Sequence, residues 1–175
     1  MIRHSTSRDA EQVSGIIERL TIDRWSRTKN GFVEYPPPSL EELRSQLESP
    51  YSLVHELDGE VRGFLTALDR EMLNPKDSII ARVKRNPGPL IYADRLGIKP
   101  EYQRRGIGLR LNKHLIDNVN TTVYGATITF PFKNTEIQRI LDFLYFEKVD
   151  SVHINNGLIF GIYKFNPMQL QNVCP

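Results

Sequence analysis

The stretch that decides the fold is LIYADRLGIKPEYQRRGIGLRL, residues 90–111. Its first nine residues are mostly apolar and predict a β-strand that Pro100 ends. A short polar loop follows, and Gly106-Ile-Gly108 then opens a predicted helix with Leu111 and Leu115 on one face. The sequence therefore predicts a strand, a basic loop that contains glycine, and a helix start, in that order.

The loop and the helix start have the chemistry of an anion site. The first N–H groups of a helix lack intrahelical partners and carry the positive end of the helix dipole. Gly106 and Gly108 let a phosphate approach this backbone closely, and Arg104 and Arg105 add positive charge. A pyrophosphate is the anion that these features favour. The dinucleotide fingerprint requires a third glycine where Leu111 stands, and no Gly-Lys-Ser/Thr triplet follows the loop, so two other phosphate motifs are excluded.

The segments on either side alternate between helix and strand patterns. Positions 13, 16, 17 and 20 have helical apolar spacing, and Ser39-Leu-Glu-Glu42 is a capping box that starts a second helix. Strand patterns at 52–57 and 61–68 flank an Asp58-Gly59 turn and predict a hairpin. Residues 152–154 and 158–165 are predicted as the last two strands. This order favours a single α/β domain over residues 1–175, with a mixed sheet covered by helices.

The composition excludes several classes of protein. Apolar residues make up 39% of the chain, charged residues 25%, and the net charge is +2, so no strong field attracts nucleic acid or an anionic membrane. The lone Cys174 cannot form an internal disulfide, and no metal-ligand spacing occurs. Residues 1–12 lack the apolar segment of a signal peptide, and the longest apolar run, 158–163, is too short to span a bilayer. We expect a cytoplasmic protein without a metal site.

A specific family resemblance comes from the pattern Gln103-x-x-Gly106-x-Gly108 placed after a strand and Pro100. This pattern resembles the signature segment of the GNAT superfamily of N-acetyltransferases. Asn134, after the next predicted strand, resembles the family's pantetheine-contacting Asn. Tyr145-Phe-Glu-Lys resembles the family's Gly-Phe-Glu-Lys ending. The order of predicted elements is similar to that of the family across most of the chain.

The resemblance implies both a fold and a cofactor site. The implied fold is a mixed, mostly antiparallel twisted sheet with a splay between two central strands, where acetyl-CoA binds as the acyl donor. The Ile98 N–H is the implied donor that polarises the thioester carbonyl. The implied cofactor-binding residues are Leu96, Gly97 and Ile98 for the pantetheine arm, Gln103, Arg104, Arg105, Gly106, Ile107, Gly108 and Leu109 around the pyrophosphate, and Asn134.

The resemblance also implies direct acyl transfer to an amine within a ternary complex. Asp94 and Tyr92 lie two residues apart on the predicted strand, so both face one side near the splay, and they are the candidate catalytic residues. In a purely structural interpretation, Asp94 pairs with a nearby Arg and Tyr92 is core. The family often has a proton-donating Tyr where Leu141 stands here. Tyr145 is predicted to pack in the core rather than to replace that acid.

The sequence leaves the acceptor and one alternative function open. The expected partners are acetyl-CoA and an amine, either a small molecule or a protein amine, with a homodimer left open. Residues 70–89 form a long insertion that we expect to border the acceptor site. Trp25, Phe32 and Tyr35 stand where this fold often binds acceptors, or they cap the core. Because Leu141 has no proton to donate, a non-catalytic acyl-CoA sensor on the same fold is the alternative.

Overall fold

A computed structural model describes residues 1–22, 31–33, 37–154 and 157–167. Within these ranges the chain forms nine strands and five α-helices, with short 3₁₀ turns at Ser7–Asp9 and Pro100–Tyr102. The strands are β1 (Ile2–His4), β2 (Thr21–Ile22), β3 (Phe32–Val33), β4 (Leu53–Leu57), β5 (Glu60–Asp69), β6 (Leu90–Ile98), β7 (Thr122–Phe130), β8 (Glu147–His153) and β9 (Ile159–Phe165). The helices are α1 (Ala10–Leu20), α2 (Leu40–Leu47), α3 (Ser78–Val83), α4 (Ile107–Asp117) and α5 (Thr135–Phe143).

Seven of the strands form one sheet in the order β1-β4-β5-β6-β7-β9-β8. Its neighbours pair antiparallel except for β6 and β7, which pair parallel from Leu90↔Thr122 to Ala93↔Gly125. Beyond Ala93 the described pairs of β6 are with β5 alone, while β7 continues along β9. The predicted mixed, mostly antiparallel sheet with a splay between two central strands is therefore confirmed.

Helices cover both faces of this sheet. Neighbouring strand residues point to opposite faces, so Leu65 and Phe64 belong to different apolar clusters. The cluster that contains Leu65 packs beneath α4 and α5, and the cluster that contains Phe64 packs beneath α1 and α2. A third cluster packs α3 against the second face farther along β5 and β6. The splay therefore lies between two helical layers.

Gly97 shows how tightly the central strands pack. It stands opposite Phe64 in the register of β5 and β6, where a Cβ would lie 2.9 Å from Phe64 Cζ and closer still to Cε1. We expect Gly97→Ala to lower the free energy of unfolding by about 2 kcal/mol, because the buried ring must shift. Denaturant unfolding measures this change. Gly15→Ala is the matched control, since a Cβ at Gly15 contacts nothing; equal effects of the two substitutions would contradict the packing argument.

The insertion at 70–89 is part of the core rather than a detachable loop. Asp77 caps α3 by accepting hydrogen bonds from the N–H groups of Ile79, at 2.7 Å, and Ile80, at 3.0 Å. Both isoleucines are buried in the third cluster, beside Tyr92 of β6. Residues Ser78–Val83 of the insertion thus form the helix α3. Deletion of the whole segment would expose this cluster, so single substitutions are the better probes of its role.

The sequence prediction was wrong about the length of the penultimate strand. Residues 152–154 were predicted, but β8 begins at Glu147. Most of its side chains are exposed or partly exposed, and it pairs with β9 alone in the seven-stranded sheet. An edge strand of this kind carries charges that discourage pairing with other chains, so it lacks the apolar alternation of an inner strand. Trp25, Tyr35 and Cys174 lie outside the described residues.

Candidate active site

A cavity of about 900 Å³ opens where β6 and β7 separate. One wall is β6 from Ala93 to Ile98, and the opposite wall is β7 from Gly125 to Ile128. The starts of α4 and α5 line it from one face of the sheet, and the end of α1 and residues of the insertion line it from the other. The cavity therefore passes through the sheet and connects its two faces.

The backbone of β6 offers unpaired groups to this cavity. The Lys99 N–H donates to the carbonyl oxygen of Arg62 at 3.0 Å, so that residue points its backbone toward β5. Because strand backbones alternate in direction, the N–H groups of Ile98 and Leu96 point away from β5 and into the splay. The Ile98 carbonyl oxygen accepts a hydrogen bond from Gln103 Nε2 at 3.1 Å. The Ile98 N–H thus remains as a donor aimed at the cavity.

The start of α4 forms the second donor group. Gly106 is the N-cap residue with φ +74°, a left-handed conformation that favours glycine, and α4 follows from Ile107. The first-turn amides of α4, at residues 107–109, line the cavity together with Arg104. Arg110 was missed by the sequence reasoning: its Nη1 lies 4.0 Å from where a Cβ on Gly106 would stand. A helical side chain leans toward the helix N-terminus, so Arg110 adds positive charge there.

Polar contacts fix the loop that precedes α4. Arg19 of α1 donates two hydrogen bonds to the Glu101 carboxylate, at 2.9 and 3.2 Å. The Tyr102 hydroxyl donates to Glu60 at 2.8 Å, and Lys99 donates to the same carboxylate at 2.7 Å. These contacts hold the loop that leads into the first-turn amides of α4, and a loop that is ordered in advance lowers the entropy lost when a ligand binds. No local sequence pattern predicts these contacts, because the partners are 39 to 82 residues apart.

Eleven of the thirteen predicted site residues line the cavity. They are Tyr92, Asp94, Leu96, Ile98, Gln103, Arg104, Gly106, Ile107, Gly108, Leu109 and Asn134. Gly97 and Arg105 do not line it. Gly97 makes room for Phe64, as described above, and the Arg105 guanidinium lies 5.5 Å from the centre of the Tyr102 ring. Arg105 therefore contributes to the loop and to the local charge.

The two candidate catalytic residues, Tyr92 and Asp94, both line the cavity. Burial raises the pKa of the Asp94 carboxyl, the negative charge of Asp77 acts in the same direction, and Arg95 opposes both. Asp94 also forms an ion pair with Arg95. Burial raises the pKa of Tyr92 well above its ordinary range, so its phenol stays neutral and cannot act as a base. Both contacts expected in the structural interpretation occur, yet both residues also line the cavity.

The family model described as the acetyltransferase (GNAT) family matches residues 17–129, which is more than half of the chain. The chain belongs to the GNAT acetyltransferase family. The resemblance of the segment around Gln103–Gly108 is thereby confirmed, and the family supports acetyl transfer from an acyl-CoA in general terms. No curated protein sequence matches the chain significantly.

Solved structures of GNAT proteins share the fold. NAA60 from Arabidopsis thaliana in complex with acetyl-CoA has a TM-score of 0.67 and 18% identity, covering 94% of this chain and 97% of its own. The ribosomal-protein-S18-alanine N-acetyltransferase from Escherichia coli has a TM-score of 0.65 and 14% identity, and the match covers 94% of this chain and 92% of its own. The polyamine N-acetyltransferase from Drosophila melanogaster has a TM-score of 0.63 and 12% identity, and the match covers 95% of this chain and 99% of its own. Identities this low establish the common fold alone.

Two residues at α5 line the cavity: the N-cap residue Asn134, which matches the family pattern, and Leu141, which departs from it. Asn134 caps the helix by accepting a hydrogen bond from the Ile137 N–H at 3.2 Å, which leaves its amide nitrogen for the cavity. Leu141 lines the cavity and is 6% exposed. The position at which the family often has a proton-donating Tyr therefore lies in the cavity wall, but its leucine side chain has no acidic group.

The prediction that Tyr145 packs in the core was wrong, because its side chain is 73% exposed. Tyr145 has φ +59° directly after α5, where its N–H donates to Asp142 O at 3.1 Å and the Phe146 N–H donates to Leu141 O at 2.9 Å. These two bonds form a Schellman ending, in which the left-handed residue is usually glycine. The turn sends Phe146 into the core instead, with its ring 5.5 Å from that of Phe165.

Tyr145→Gly is expected to raise the free energy of unfolding by about 1 kcal/mol. A left-handed conformation costs an L-residue roughly 1–2 kcal/mol, and the exposed ring contributes little packing. Thermal unfolding measures the change as a rise of about 2–4 °C in Tm. Tyr145→Phe keeps the backbone preference, so it should leave Tm unchanged. A destabilised Tyr145→Gly would show that the ring makes contacts that outweigh the strain.

Neither a membrane-spanning helix nor a cluster of metal ligands occurs among the described residues. None of their helices has both the length and the apolar character to cross a bilayer. Nor do they bring three or more His, Cys, Asp or Glu side chains together in a way that could hold a metal ion.

Proposed function

We propose that this chain is an N-acyltransferase that moves an acetyl group from acetyl-CoA directly to an amine within a ternary complex. The observation that carries the proposal is the cavity through the splay. It has helix-start amides and cationic side chains at one end and the carboxylates of Asp94 and Asp77 at the other. Such a passage lets an anionic donor and a cationic acceptor approach each other from opposite faces of the sheet.

The donor end would hold acetyl-CoA through backbone groups. Amides of residues 107–109 would bind the pyrophosphate, with Arg104 and Arg110 near them. The Leu96 and Ile98 backbone would pair with the pantetheine arm, and the Ile98 N–H would polarise the thioester carbonyl. The bound thioester supplies an activated acyl group. The cavity volume fits a ligand of this size, since small-molecule sites range over about 300–1,000 Å³.

The transfer forms a C–N bond and breaks the C–S bond of the thioester. The neutral amine attacks the carbonyl carbon, and its surplus proton passes to Asp94 directly or through water. CoA departs as a thiolate and then takes up a proton, so charge and atoms balance. Leu141 cannot supply that proton. A thiol with a pKa near 8.5 is nevertheless a tolerable leaving group at neutral pH, and water in the open cavity can protonate it.

The acceptor end is suited to an amine that arrives protonated. Asp77 and Asp94 both line the cavity, as does Tyr92. A positively charged ammonium group is attracted there before it loses its proton. Ile79 from the insertion and Phe160 from β9 add apolar surface beside the carboxylates. Under this proposal the insertion would shape the part of the site that receives the amine.

The experiment that tests the proposal follows acetylated product by mass spectrometry. The protein is incubated with acetyl-CoA and a panel of diamines, amino acids and peptides with free N-termini, while free thiol is measured in parallel. We expect thiol release that depends on an amine and equals the amount of acetylated product. Tight CoA binding without turnover on any amine would instead favour the non-catalytic sensor, which Leu141 keeps as the alternative.

A further inference from the structure

The pairing of β6 with β5 shifts register by one residue at the point where β6 separates from β7. Thr66 stands opposite Arg95, and the next residue of β5, Ala67, stands opposite Ala93. Asp94 therefore has no partner on β5 and is the extra residue of a β-bulge. A bulge bends its strand and changes the direction of the side chains around it. The bulge accordingly occurs at the candidate catalytic carboxylate.

A buried hydroxyl satisfies the backbone at this bulge. Thr66 is 0% exposed, and its Oγ1 accepts a hydrogen bond from the Arg95 N–H at 3.1 Å. The neighbouring residue of β5, Ala67, directs its backbone the other way, where the Ser52 hydroxyl accepts from its N–H at 3.0 Å. Side-chain hydroxyls thus accept hydrogen bonds from backbone amides on both sides of β5. A buried amide left without an acceptor would cost about 1–3 kcal/mol.

Arg95 links this hydroxyl to the carboxylate. Its amide is bound to Thr66, while its guanidinium forms an ion pair with Asp94 and lies 3.5 Å from Gln46 Oε1 of α2. The side chains of both ion-pair partners are mostly buried. Because the two ends of Arg95 are held, the backbone position of residue 95 determines where the Asp94 carboxylate lies.

We propose that Thr66 is a positioning residue for acyl transfer: its hydroxyl holds the bulge that directs Asp94 into the cavity and separates β6 from β7. The inference rests on the proposed function, in which Asp94 accepts the amine proton. Without the bulge, a regular ladder would move the residues on one side of position 94 to the opposite face of the sheet. Asp94 and the backbone donor at Ile98 then could not serve the same cavity.

The test compares Thr66→Val, which keeps the shape and removes the hydroxyl, with Thr66→Ser, which keeps the hydroxyl. Hydrogen exchange of the Arg95 amide is measured first, because it needs no acceptor. We expect exchange at least about tenfold faster in Thr66→Val and within threefold of wild type in Thr66→Ser. With an active amine, Thr66→Val should lower kcat at least about tenfold while KM for acetyl-CoA stays within threefold. Thr66→Ser should restore kcat.

Three results would overturn the inference. Unchanged Arg95 exchange in a folded Thr66→Val would mean that the hydroxyl does not hold the bulge. Wild-type kcat in that variant, or an equal loss of kcat in Thr66→Ser, would mean that the hydroxyl does not position the reacting groups. If no amine is acetylated by the wild type while Arg95 exchange accelerates in Thr66→Val, the proposed function fails and the role of Thr66 in the bulge stands.

Discussion

Replacing Gly108 with Asp is expected to abolish binding of CoA while the chain remains folded. A Cβ at Gly108 would point toward Leu96 Cδ2 and Ile140 Cδ1, both at 3.3 Å, in the cavity wall. The new carboxylate would compete for the first-turn amides of α4 and repel the pyrophosphate. Two unit charges about 4 Å apart near a protein surface interact by about 4 kcal/mol. We therefore expect a loss of affinity of at least about 100-fold.

Calorimetric titration with CoA measures this loss, and circular dichroism checks the fold. Gly15→Asp is the matched control, because it introduces the same charge into a helix at a position where a Cβ contacts nothing. That variant should bind CoA like the wild type. Unchanged affinity in a folded Gly108→Asp protein would remove the phosphate site from the start of α4.

Replacing Asp94 with Asn is expected to lower kcat by about 10²–10⁴-fold, the usual contribution of a general base. Asn keeps a carbonyl oxygen that can accept a hydrogen bond from Arg95, so the local structure should persist. CoA affinity should stay within threefold, since Asp94 lies at the acceptor end. The measurement is steady-state turnover on the best amine of the panel. Asp150→Asn is the control, because Asp150 forms a similar ion pair with Arg82 outside the cavity.

The pH dependence gives Asp94 a second signature. A base must be ionised to accept a proton, so activity should rise with pH through the pKa of Asp94. Burial raises that pKa, so this rise should lie above pH 4, the ordinary range of Asp. Because folding raises the pKa of Asp94, its protonated carboxyl favours the folded state at low pH, and this contribution to stability is lost as pH rises through the raised pKa. Asp94→Asn should remove the rise in activity; full turnover in this variant would exclude Asp94 as the base.

Much of the fold followed from local signals in the sequence. The capping box at Ser39 and Glu42 begins α2 as predicted, with reciprocal hydrogen bonds between the two residues. The apolar strand that ends before Pro100, and the glycines that begin α4, indicated the candidate phosphate site, while the splay was implied by the resemblance to the GNAT superfamily. These features depend on residues close together in the chain, which a pattern can detect.

The remaining features depend on contacts between distant residues. At the bulge the Arg95 N–H donates to Thr66 on the neighbouring strand, and the loop before α4 is bonded to Arg19 and Glu60. Tyr145 has the aromatic character of a core residue, but the ending of α5 turns it to the surface. Asp77 reaches the acceptor end only because α3 packs against the sheet. No spacing within the sequence predicts these arrangements.

A crystal structure of the chain with CoA tests the central claim most directly. The account predicts density in the splay between β6 and β7, with the pyrophosphate on the amides of residues 107–109 and the pantetheine arm along Leu96 and Ile98. The sulfur should lie between the Ile98 N–H and the Asp94 end of the cavity. CoA bound elsewhere, or a protein that does not bind CoA at millimolar concentration, would contradict the account.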